Sequence, residues 1–198
     1  MFQLISLSNM KIGIYCGSFS PVHKGHIKIV KEIIKQEIVD KVLIIPTGSY
    51  WDKNNLMPLE HRISMLKYYE NKHIEVETKL NDVYPTYKLM EELEKRYPDD
   101  EFYLILGADN LLEFDKWVEY KKLLEYPFII IKRNDLNEEK IDDIMKSFNK
   151  TNYVILNMDT IDISSTQINK QYRENKTFDS NYIDDFVSSY IIKNNLIK

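Results

Sequence analysis

Short apolar runs alternate along the chain with stretches in which apolar residues recur every three or four positions. Lys11–Tyr15 (KIGIY) is short, apolar and β-branched, and predicts a buried strand. Beyond the next loop, Ile27, Val30, Ile34 and Ile38 fall at helical spacing, so a helix is predicted to start near Ile27. Val42–Pro46 (VLIIP) is the next strand. Pro58–Tyr69 follows as a helix, with Leu59, Ile63 and Leu66 on one face and Pro58 near its start. Ile74–Val76 reads as a short strand and Thr86–Arg96 as a helix ending before Pro98. Strands are predicted over Phe102–Leu106, Phe128–Ile131 and Tyr153–Leu156, and helices over Glu138–Phe148, Ser165–Arg173 and Tyr182–Lys193. Residues 1–9 precede a second methionine, Met10, and receive no function.

Apolar strands alternating with amphipathic helices predict an α/β fold. Its expected form is a doubly wound, mostly parallel Rossmann-like sheet covered on both faces, with helices at the C-terminal end. The chain has 198 residues, which suits one domain spanning 1–198. Ligands in such folds bind where strands end and the chain leaves for the next helix.

Composition narrows the function. The net charge of −4 argues against a broad nucleic-acid-binding surface, which would need a basic excess. One cysteine excludes an internal disulfide framework and a Cys-rich zinc site. No apolar run reaches membrane-spanning length and no signal-like leader is evident, so a soluble cytoplasmic protein is expected. A homo-oligomer is compatible with the sequence. Lysine occurs 23 times and arginine only 4 times, as Arg62, Arg96, Arg133 and Arg173, so most lysines read as solvated surface. Only five glycines are present (Gly13, Gly17, Gly25, Gly48 and Gly107), each expected where the backbone needs one.

Two of those glycines and two of the four histidines fall in one loop, Cys16-Gly17-Ser18-Phe19-Ser20-Pro21-Val22-His23-Lys24-Gly25-His26. A helix start presents backbone N–H groups and partial positive charge, which favour phosphate. Two imidazoles three residues apart at that start can both aim Nε donors at one anion. Gly25 permits close approach, and Gly17 and Ser18 are small residues at the strand end. Ordinary turn histidines are the competing reading; the H-x-G-H spacing at a strand-to-helix switch weighs against it.

The segment GSFSPVHKGH resembles the signature of the nucleotidylyltransferase superfamily. The later run Ile163-Ser164-Ser165-Thr166-Gln167-Ile168-Asn169 resembles its I-S-S-T-x-[IV]-R motif. Between the two, Phe102–Asp109 (FYLILGAD), Trp117, Lys53, and Arg62 with Met65 are similar to features of bacterial nicotinate-nucleotide adenylyltransferases. The likeness runs from about Lys11 to Ile197.

This resemblance implies transfer of AMP from ATP to nicotinate mononucleotide, with release of pyrophosphate. It assigns His23 and His26 to catalysis, and Gly17, Ser18, Phe19, His23, Gly25 and His26 to ATP. It adds Gly107, Asp109, Ser164, Ser165 and Thr166 to the ATP site. Lys53, Thr86 and Trp117 go to the pyridine mononucleotide, Trp117 by stacking on the ring. Mg²⁺ is implied as the companion of ATP, keeping most of its waters, so no dedicated metal ligands are expected. Bland roles compete: plain helix capping for Ser164–Thr166, a strand-exit turn for Gly107 and Asp109, a half-buried core position for Trp117, solvated surface for Lys53. His61 and His73 read as surface residues, and Cys16 as a small packing residue. Arg133 is a candidate to face the nucleotide.

Two positions depart from the motifs. Ser20 stands where the bacterial pattern has Asp, and Asn169 where it has the Arg that grips ATP phosphates. Lys170, Lys132, Arg133 and Arg173 are candidate substitutes for that charge. Two other functions stay open: transfer to another phosphorylated acceptor such as phosphopantetheine, and a nucleotide-binding regulatory module without turnover.

Overall fold

A computed structural model describes residues 9–48, 56–132, 136–159, 161 and 163–197. Six strands form one sheet: β1 (Lys11–Gly17), β2 (Lys41–Pro46), β3 (Ile74–Val76), β4 (Glu101–Gly107), β5 (Phe128–Ile131) and β6 (Tyr153–Leu156). Every pairing is parallel, in the order β3-β2-β1-β4-β5-β6. The register sets Gly13 beside both Val42 and Tyr103, and Ile105 beside Ile129.

Parallel strands need crossovers, and helices supply them. They are α1 (Lys24–Lys35), α2 (Leu59–Lys67), α3 (Thr86–Arg96), α4 (Ala108–Leu111), α5 (Tyr120–Leu123), α6 (Glu138–Ser147), α7 (Ser165–Asn175) and α8 (Asp185–Lys193). A single 3₁₀ turn, Phe114–Lys116, lies between α4 and α5.

The strands are apolar on both faces because both faces are covered. Successive residues of β5 divide cleanly: Ile129 and Ile131 join one core, Phe128 and Ile130 the other. The first core is filled from α1, α2, α7 and α8 by Val30, Ile33, Met65, Ile168 and Val187, among others. The second is filled from α3, α5 and α6 and the 3₁₀ turn by Met90, Leu93, Phe114, Leu123 and Met145. Among the described residues no helix is long and apolar enough to cross a membrane.

Strand bounds agree with the sequence pattern to within two residues at each end, the largest difference being β1, which runs on to Gly17. Two helices begin elsewhere. Helix α1 starts at Lys24, three residues before the first apolar position of its stripe, which places His26 inside its first turn. Helix α8 starts at Asp185 instead of Tyr182, because Asp184 is its N-cap and the Tyr182 carbonyl is bonded to the Lys24 N–H at 2.8 Å. The chain reverses direction across the sheet between β1 and β4, so a crevice opens at their C-terminal ends, at Gly17 and Gly107.

Candidate active site

His23 is the N-cap of α1 and His26 its third residue, so both rings rise from the helix start. The rings stack with centroids 3.6 Å apart and planes at 27°. His26 Nδ1 accepts the His23 backbone N–H at 3.3 Å. That bond places the imidazole proton of a neutral His26 on Nε2, which is then a donor. The Phe19 ring meets His26 edge-on at 4.9 Å, from a backbone in the left-handed region with φ of 46°. Gly25 is required here: a Cβ would lie 3.0 Å from His23 Nδ1 and 3.1 Å from Cε1. The first-turn N–H groups are largely bound. Lys24's goes to Tyr182, and those of His26 and Ile27 go to the His23 carbonyl. Among the described residues, the Gly25 N–H is the one left to a ligand.

A buried arginine braces this turn. Arg62, 1% exposed, donates from Nε to the Met57 carbonyl at 2.9 Å, and from Nη1 to the Ser18 and Thr47 carbonyls at 2.8 Å each. One cation thus ties the loop after β1 to the loop after β2 and to the entry of α2. Burial pulls its pKa below the usual value, and the charge of Glu60 opposes that shift.

Helix α7 contributes the second motif. Ser164 caps it in a reciprocal box: Oγ accepts the Gln167 N–H at 3.2 Å, and Gln167 Oε1 accepts the Ser164 N–H at 2.7 Å. Ser165 Oγ donates to the Pro21 carbonyl at 2.8 Å, so this hydroxyl proton holds the β1–α1 turn. Thr166 is exposed at the helix start. At the end of β4, Gly107 is the N-cap of α4 and Asp109 is exposed. A Cβ on Gly107 would collide with Asp109 Oδ1.

Beside the turn lies a cavity of about 340 Å³, walled by Cys16, Thr47, Asn81, Tyr84, Thr86 and Trp117, among others. It brings Thr86 and Trp117 together, two residues 31 positions apart in the chain (117 minus 86). Trp117 is half-buried and leans on the core ring of Phe114 at 5.3 Å, so it serves both the core and the cavity wall. Thr86 opens α3. The Lys88 and Leu89 N–H groups bind the Pro85 carbonyl, whereas those of Thr86 and Tyr87 take no partner among the described residues. The positive end of a three-turn helix therefore meets the cavity. Glu113 and Lys116 line the same wall and pair at 2.7 Å. Burial pushes the Cys16 thiol up to about 12.

The loop carrying this wall is pinned from behind. Glu77, 5% exposed, accepts from the Arg96 guanidinium at 2.8 Å and from the N–H groups of Lys79 and Leu80. Asn81 Nδ2 donates to the Pro46 and Glu77 carbonyls at 2.9 Å each. Lys53 and Arg133 lie outside the described residues. His61 and His73 are both half-buried, and their Nδ1 atoms bond the Tyr190 hydroxyl at 3.0 Å and the Asp40 carbonyl at 2.9 Å respectively. Exposed Lys170 faces Glu174 at 4.0 Å, and half-buried Lys132 faces Glu138 at 3.4 Å.

The cytidylyltransferase-like family model matches residues 14–171, which takes in both motifs. A probable nicotinate-nucleotide adenylyltransferase of Fusobacterium nucleatum is 37% identical over 83% of this chain and 88% of its own length. One of Carboxydothermus hydrogenoformans is 33% identical over 97% of this chain and all of its own, 100%. Among solved structures, a Plasmodium falciparum nicotinic acid mononucleotide adenylyltransferase complexed with NaAD superposes with a TM-score of 0.77. It is 27% identical and covers 94% of this chain and 97% of its own. The chain belongs to the nicotinate-nucleotide adenylyltransferase family.

In this adenylyltransferase the sequence motifs mark His23, His26, Gly25 and the α7 start, and the fold gathers them round one crevice. Sequence reading named Arg62, with Met65, by resemblance but not its role, since its bonds run to three carbonyls 5, 15 and 44 residues away. It missed Glu77, Asn81 and the N–H pair at the start of α3. Glu77 and Asn81 carry no motif, although two polar residues in a segment of short apolar spacing were a faint signal. The N–H pair at Thr86 is backbone and needs the helix start to be located.

Proposed function

We propose that this adenylyltransferase joins the AMP of ATP to nicotinate mononucleotide, forming nicotinate adenine dinucleotide and pyrophosphate in NAD biosynthesis. An oxygen of the mononucleotide phosphate attacks the α-phosphorus of ATP. The bond from that phosphorus to the bridging oxygen breaks, and pyrophosphate leaves with that electron pair. The attacker is already an anion, so no protein nucleophile is required. The protein's contribution is alignment and stabilisation of charge as it builds on the phosphates.

His26 Nε2 and the stacked His23 ring are suited to the α- and β-phosphates, with the Gly25 N–H beside them. The stacking and the Nδ1 bond hold the rings before substrate arrives, so little reorganisation is left for the reacting state. The start of α7, with Thr166, suits the outer phosphates. Gly17, Ser18 and Phe19 form the adjoining rim, and Asp109 beside Gly107 suits ribose hydroxyls. Mg²⁺ enters with the triphosphate as part of the substrate. Among the described residues no group of three or more His, Cys, Asp or Glu could hold a metal of its own.

The cavity supports the acceptor. Trp117 offers an indole face to a pyridine ring. The observation that carries nicotinate over nicotinamide is the start of α3. Two N–H groups and the positive helix end favour a carboxylate over a neutral amide, while Lys116 at the same wall is already paired with Glu113 and adds no net charge. The test is incubation with Mg-ATP and each mononucleotide, following pyrophosphate and dinucleotide together. The nicotinate compound is expected to give both products at the higher kcat/KM; equal or better use of the nicotinamide compound would refute the assignment.

A further inference from the structure

Ser165 and Asn169 lie four residues apart on α7 and so share one face of the helix. They hold consecutive carbonyls of the turn after β1: Ser165 Oγ takes that of Pro21 at 2.8 Å, and Asn169 Nδ2 that of Ser20 at 2.9 Å. His23 follows Pro21 by two residues, across Val22, which is 0% exposed. The turn cannot shift at Ser20 without moving the imidazole. The second feature concerns the other end of the amide. Asn169 Oδ1 is buried and has no hydrogen-bond partner among the described residues. A buried amide that leaves its acceptor unmet is retained for its donor.

We propose that Asn169 is a positioning residue. It fixes the Ser20 carbonyl and thereby the His23 ring, and it is not a shortened remnant of a phosphate ligand. An asparagine has neither the reach nor the charge of the motif arginine, and here its donor is already engaged with the backbone. The helix start that faces the phosphates thus also clamps the histidine turn. The inference rests on the adenylyl-transfer reading of the site.

Asn169→Leu tests it. Leucine is close in size and removes the unmet oxygen, but it leaves the buried Ser20 carbonyl without this donor, so the unfolding midpoint is expected to fall by about 2–10 °C. The kcat is expected to fall by about 10- to 100-fold, as for a misplaced catalytic group, with little change in the KM for ATP. A kcat within about twofold of wild type, or a raised KM for ATP at unchanged kcat, would overturn the proposal. Asn169→Arg, which restores the motif residue, is expected to be slower than wild type; a gain in kcat/KM would overturn it equally. Should the leucine variant fail to fold, Ser165→Ala is expected to lower kcat in the same way, and an unchanged kcat there counts against the clamp. Imidazole NMR separates this inference from the reading beneath it. Unmoved His23 resonances in Asn169→Leu defeat the positioning role while the wild-type reaction stands. A wild-type protein that turns over neither pyridine mononucleotide defeats the reaction, and the His23 resonances still decide Asn169.

Discussion

At the turn after β1, the groups we assign to the triphosphate are tied down one by one. His26 Nδ1 is bonded to the His23 N–H, the two rings are stacked, Arg62 grips three carbonyls, and α7 holds two more. The cavity beside it is built otherwise. Its inner wall is pinned by buried Glu77 and Asn81, yet its outer wall is half-buried Trp117 with exposed Lys116 and Val118. A reacting centre gains from donors that need not move when charge develops. An acceptor site must also admit and release a bulky mononucleotide, and an open wall allows that. A closely braced turn therefore sits beside a more exposed wall, joined through Cys16 and Thr47 at the ends of β1 and β2.

The sharpest way to break this contrast is at the histidines. His23→Ala is expected to lower kcat by about 10²- to 10³-fold, the usual cost of losing one preorganised donor, while the mononucleotide KM stays near wild type. Pyrophosphate release under saturating ATP measures it. A loss confined to KM would place His23 in binding alone. The complementary change is Trp117→Ala. Losing a ring stack costs about 1–3 kcal/mol, or roughly 5- to 150-fold in the mononucleotide KM, with the KM for ATP unchanged. If both KM values rise together, the two regions are not separate.

Glu77→Gln sharpens the comparison from behind the cavity. The change removes the charge that Arg96 pairs with and leaves buried donors less well met, which costs about 1–3 kcal/mol of stability. Chemical denaturation checks that figure. The mononucleotide KM is expected to rise with it, and kcat at saturation to hold; an unaltered KM would show that this network does not shape the wall.

The smallest expected effect is at Cys16, on the cavity floor. Its thiol, raised to about 12, stays protonated at pH 8, so alkylation of the folded protein is expected to be slow and to become fast on unfolding. The sign for stability follows. The unfolded thiol ionises from near 9.0, before the folded one, so stability declines as pH rises from there toward about 12. Rapid labelling of the native protein would mean that the cavity floor is open to solvent.

The same contrast explains what the sequence made legible. Strands such as Phe128–Ile131 and Tyr153–Leu156 are apolar runs that a covered parallel sheet demands, and they appear where the pattern puts them. The turn after β1 was readable because its chemistry lies within eleven consecutive residues, Cys16–His26. Its true helix start was not, since Lys24 and His26 are polar and interrupt no apolar stripe. The cavity was half readable: Trp117 and Thr86 were placed by resemblance, but the short α4, α5 and 3₁₀ turn around Trp117 are too brief to show a period. Asn169 was legible only as a missing arginine. Its bond to Ser20 spans 149 residues, a distance that no local pattern reports.

The central claim is that charge-favouring donors at the start of α3 make this an enzyme for the acid form of the pyridine mononucleotide. The most direct measurement offers the wild-type protein Mg-ATP with equal amounts of nicotinate and nicotinamide mononucleotides, and weighs the two dinucleotides formed. The account predicts a clear excess of nicotinate adenine dinucleotide, with one pyrophosphate released per dinucleotide. An equal mixture, or an excess of the nicotinamide product, would contradict it.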